Sequence, residues 1–158
     1  MDDQLAQTDE VWPAVVEESQ RLAAEYEDAG WDVITTTPGD VVPVPQPGDS
    51  EISHVGLDVL VGGDVYEQVE TAVETADFDA IEVFREESNG IVYLAVVLKA
   101  PKVKQAICLP LYYRVAEAER LFSLVDEGEQ IGTRIRPLSG DGISFAHDDP
   151  DLLLPDAR

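Results

Sequence analysis

Apolar residues along this chain recur with two rhythms, and each rhythm predicts a kind of element. Trp12, Val15, Val16, Leu22, Ala23 and Tyr26 return at helical spacing, with Glu17, Glu18, Arg21, Glu25 and Glu27 between them. That stripe predicts an amphipathic helix from about Thr8 to Ala29, stopped at Gly30, although Pro13 blurs its start. Val65, Tyr66, Val69, Ala72, Val73 and Ala76 form a second stripe, with Asp64 and Glu67 placed like a capping box at its head. Ala118, Leu121, Phe122 and Val125 form a third, over about Ala116 to Glu127, closed by Gly128.

Elsewhere the period is two, or the run is wholly apolar. Residues 31–37 (WDVITTT) and 55–61 (VGLDVLV) read as strands, the second ending at Gly62-Gly63. Between them four prolines leave room only for a brief edge strand at Val41 to Val44. From Phe78 two strands flank Asn89-Gly90, the strongest hairpin signal in the chain. KVKQAICLPLYY supplies the next strand, interrupted by Pro110, and GTRIRPL and GISFAH supply two short last ones. The apolar triplet Leu152–Leu154 is expected to dock on the body. This order predicts one α+β domain over residues 1–158, loose at about 1–7 and 155–158. Its architecture is expected to be two-layer: a mainly antiparallel sheet with about three helices packed on one face.

Charge then narrows the setting. The chain carries 33 acidic and ten basic residues, −23 net in 158 residues. Such self-repulsion weakens a compact state in dilute buffer and is largely screened at molar salt, where the Debye length is about 3 Å. An acid-rich, lysine-poor surface therefore fits a salt-rich cytoplasm. An ordinary acidic protein and a mimic of nucleic-acid charge are the alternatives, and the dispersed acids count against the mimic. Nucleic acid is not an expected partner, because phosphate binding needs a basic face. Nor is a membrane, since the longest apolar run, residues 91–98, is too short to span one as a helix. The one cysteine, Cys108, lies in an apolar strand and reads as an inert core thiol.

All three lysines, Lys99, Lys102 and Lys104, fall within KAPKVK, between the two most hydrophobic strands. At that position they oppose misassociation of strand ends by charge and solvation. The stretch 99–136 also holds Arg114, Arg120, Arg134 and Arg136, so seven basic groups meet five acids there; its balance is +2 while the rest carries −25. It is thus also a candidate site for an anionic ligand or an acidic partner, with Arg114, Arg134, Arg136 and the three lysines as binding residues.

Catalytic signals are sparse. On a strand Arg134 and Arg136 share a face. His147 with Asp141 and Asp148 nearby could form a base oriented by an acid, although a solvated acidic turn explains the same residues. The metal-ligand spacings are missing, the Gly62-Gly63-Asp64 turn lacks the endings of phosphate loops, and His54 reads as a surface residue. No cofactor is expected.

Trp12 in an acidic first helix, GW at 30–31, PGDV at 38–41, VFRE at 83–86, LPLYYR at 109–114 and RPLSGDGISFAH at 136–147 together resemble a family of small uncharacterised haloarchaeal proteins, a domain of unknown function. The resemblance implies a salt-rich cytoplasm and no particular activity. The sequence is therefore read as a domain that binds a protein or a small anion. A small enzyme using Arg134, Arg136, His147 and an aspartate in a cleft is the competing reading.

Overall fold

The computed structural model describes residues 2–48, 53–139 and 141–155, with residues 2–10 given through their backbone. Helix α1 spans Asp2–Asp28, and strands β1 (Asp32–Thr35), β2 (Asp40–Gln46) and β3 (His54–Leu60) follow. Helix α2 (Gly63–Thr75) leads to β4 (Ala80–Ser88), β5 (Ile91–Ala100) and β6 (Gln105–Arg114). Helix α3 (Glu119–Asp126), β7 (Ile131–Arg136) and β8 (Ile143–His147) complete the order. The end of the proline-rich loop (49–52), Gly140, Met1 and residues 156–158 of the expected loose terminus lie outside the described residues.

The fold is α+β with three helices, and its strands divide between two mixed sheets. One has the order β1-β6-β5-β4 with β1 parallel to β6; the other has β2-β3-β7-β8 with β3 parallel to β7. The reason lies in β5 and β6, which bury both faces. Ile91, Tyr93, Ala95 and Val97 of β5, with Ala106 and Cys108 of β6, pack against Val15, Leu22 and Ala23 of α1. The alternate residues Val92, Leu94, Val96 and Leu98, with Ile107, Leu109 and Leu111, enter a larger core. Leu57 and Val59 of β3, Ile131 and Ile135 of β7, Phe145 of β8 and the apolar stripe of α3 supply the other side of that core. A strand apolar on both faces needs cover on both, and one helix provides only half of it. Trp12 and Trp31 anchor α1 at the rim of the smaller cluster.

Local signals explain most boundaries. Asn89 and Gly90 both take positive φ, 50° and 79°, as a two-residue hairpin turn requires. Pro43 and Pro45 fall on β2, an edge strand, where a missing N–H is tolerated. Pro110 lies beyond Thr35↔Cys108, the last β1–β6 pair, so β6 runs through it with one flank free of a partner strand. The expected capping box does not form: Gly62 is the N-cap of α2 without a side-chain bond, and Asp64 sits inside the first turn. Leu153 and Leu154 are fully buried, and Tyr113 donates its hydroxyl hydrogen to the Leu153 carbonyl at 2.7 Å.

Candidate functional site

The sheet β2-β3-β7-β8 turns its odd-numbered β3 and β7 residues into the core, so His54, Gly56, Asp58, Gly132, Arg134 and Arg136 occupy its outer face. Parallel pairing places Asp58 directly beside Arg134, with Arg136 two residues further along the same side of β7. Arg134 Nε donates to Asp58 Oδ1 at 3.0 Å and Arg136 Nε donates to Oδ2 at 2.6 Å. The carboxylate is almost fully buried while both guanidiniums remain partly open to solvent. Among the described residues Asp58 is the sole hydrogen-bond partner of the Arg134 guanidinium. Two fixed guanidiniums on one carboxylate leave a local excess of one positive charge, with Nη groups to spare. Around them the outer face carries Val42, Val44, Ser144 and Ala146, without another carboxylate in the middle of the sheet.

Asp58 is the residue that sequence reasoning missed. Its signal was present: one acid at the centre of an otherwise apolar alternating strand. What β3 would pair with was not legible.

The other predicted basic residues do not converge on this pair. Lys99 lies 4.0 Å from Glu82 and over the ring of Tyr26, and Lys102 and Lys104 are exposed in the β5–β6 turn. Arg114 sits at the opposite end of β6 from the lysines, ten residues of strand or roughly 30 Å from their turn. There it lines a cleft of about 520 Å³ with Trp12, Pro110, Tyr112, Asp40 and Glu117. A larger hollow of about 790 Å³ between β1 and α2 is lined by Glu27, Asp32, Asp64 and Glu67, a setting that repels anions.

His147 does not meet the arginines. Register pairs it with Ile131, which turns its ring toward the inner side of the sheet, where it shares a 2.9 Å hydrogen bond with Thr133 Oγ1. Burial, reinforced by nearby His54, pushes its imidazole down to about 4, so it is neutral at pH 7. Asp148 is exposed, and Asp141 contributes a backbone carbonyl that accepts from Tyr66. His54, expected at the surface, is instead the buried first residue of β3 and donates from Nε2 to the Leu57 carbonyl at 3.2 Å. Its ring lies beside Gly132, where a Cβ would stand 2.9 Å from the Phe145 carbonyl oxygen but at an ordinary contact distance of 3.5 Å from the imidazole. Burial holds its imidazole below the usual value too. Cys108 is buried, and burial raises its thiol to about 11, where it is inert. Among the described residues no group of three His, Cys, Asp or Glu is placed to hold a metal ion, and no helix is long and apolar enough to cross a membrane.

Residues 1–155 match a family of unknown function, DUF7529. The chain belongs to that family. The match takes in both sheets of the DUF7529 fold and the Asp58-held arginine pair. No curated protein and no solved structure matches the chain.

Proposed function

We propose that this DUF7529 protein is a binding domain of a salt-rich cytoplasm, and that its outer sheet face recognises an anionic group, a small anion or a carboxylate of a protein partner. The observation that carries the reading is the pair Arg134 and Arg136, held by the buried Asp58 in a chain of net charge −23. Prepaid ordering matters here: two guanidiniums already fixed lose little side-chain freedom on meeting a ligand. Their partial burial also shields them from added salt better than the exposed lysines of the β5–β6 turn.

The test compares wild type with the neutral triple variant Asp58→Asn/Arg134→Gln/Arg136→Gln, which leaves no charge stranded. Binding of citrate and of a polyglutamate peptide is measured by calorimetry across a KCl series. Wild type is expected to bind and the variant to lose at least about tenfold, the equivalent of 1.4 kcal/mol. Equal affinity for both proteins removes the proposal.

A further inference from the structure

The cleft beside Arg114 originates in the chain's path between the sheets. Strand β1 pairs with β6 only as far as Cys108, after which Thr37 to Asp40 leave for the other sheet. The remaining residues of β6 are left without a hydrogen-bonded partner strand on that flank. By alternation Pro110, Tyr112 and Arg114 stand in a row on the side facing α1. Trp12 of α1 meets Tyr112 edge to face, with ring centroids 5.1 Å apart. The short turn after β6 then brings Glu117 to the same cleft.

Two opposite charges thus line one cavity without neutralising each other. Among the side chains described, from Val11 onward, neither the Arg114 guanidinium nor the Glu117 carboxylate has a hydrogen bond or ion pair. Asp40, the other acid on the wall, already accepts from the Val41 amide through Oδ1. Tyr112 and Trp12 add aromatic surface between the charged groups, and the volume is in the range of small-molecule sites. A simple anion would meet Arg114 but also the two carboxylates; a simple cation would leave the guanidinium unused. From Arg114 and Glu117, which line one cleft without bonding each other or any other described side chain, beside the Trp12–Tyr112 pair, we infer that the cleft binds a small zwitterion, an α-amino acid with an apolar side chain. Its carboxylate meets Arg114 bidentately, its ammonium faces Glu117 and the aromatic rings, and its side chain lies on Tyr112 and Pro110.

The experiment is calorimetric titration at constant KCl with three matched probes. L-Phenylalanine carries both charges, 3-phenylpropionate lacks the ammonium and phenethylamine lacks the carboxylate. Saturable binding of L-phenylalanine is expected, with each half-ligand at least about tenfold weaker. Arg114→Gln should lower L-phenylalanine to the affinity of phenethylamine, and Glu117→Gln should lower it to that of 3-phenylpropionate. Both side chains are exposed, so both variants are expected to fold, which circular dichroism checks. Absence of saturable L-phenylalanine binding to the folded wild type overturns the inference, as do half-ligands that bind equally well. Variants that bind like wild type also overturn it. The readout is independent of the Asp58 arginine pair, so either proposal can fail alone.

Discussion

Asp58 and Arg134 face each other across a parallel strand pair, and their side chains close the register with a 3.0 Å hydrogen bond. Parallel neighbours β3 and β7 come from distant parts of the chain, so this bond marks where they align. Asp58→Ala strands two partly buried guanidiniums without their counter-charge. A loss of roughly 3 kcal/mol in unfolding free energy is expected, measured by chemical denaturation. The neutral triple variant at the same three positions should lose much less.

Gly56 and Gly132 sit side by side in the same ladder, and Gly56 has φ +148°. A Cβ at Gly56 would lie 1.9 Å from the Gly132 carbonyl oxygen, a backbone atom that cannot rotate away. Gly56→Ala should therefore cost on the order of 4 kcal/mol, read as a large fall in the denaturation midpoint. Gly63→Ala, where a Cβ meets nothing within 4 Å, serves as the matched control.

Stability should depend on pH through His147. Its imidazole protonates near 6.5 in an unfolded chain and only at about 4 in the fold. Between those values the unfolded state binds more protons, so stability is complete above about 6.5 and declines as pH falls toward about 4. The full decline is roughly 3 kcal/mol. His147→Gln, which can still bond to Thr133, should flatten this part of the profile relative to wild type. Parallel profiles would remove His147 as the cause.

Thermal stability should rise with salt. With a net charge of −23, moving from about 0.1 M to 1 M KCl shortens the Debye length from about 10 Å to about 3 Å and screens the self-repulsion. The melting temperature followed by circular dichroism is expected to increase across that range. An unchanged value would count against adaptation to brine.

Much of the element pattern was legible because local rules govern it. Asn89-Gly90 fixed a hairpin, and the apolar run from Ile91 read as one of its strands, although its burial on both faces emerged only with the second sheet. The division into two sheets was not legible. Nothing near residue 32 announces that Asp32 pairs with Gln105, or near residue 58 that Asp58 pairs with Arg134. The candidate site shared this fate. Alternation placed Arg134 and Arg136 on one face, yet their carboxylate partner sits on a strand 76 positions earlier in register. His54 was misread because it opens β3, and only the pairing shows that strand lying between β2 and β7. The Arg114 cleft depended on where β1 stops pairing, which no local signal encodes.

The interleaving of the strands also shapes how the molecule must be made. β1 waits for β6, and the β2–β3 hairpin waits for β7, so neither sheet can close around an N-terminal fragment alone. During synthesis the early strands leave the ribosome with open edges, and productive folding is deferred until β6 and β7 have emerged. In that interval the prolines of β2 guard one exposed flank of the nascent hairpin against pairing with a neighbouring chain.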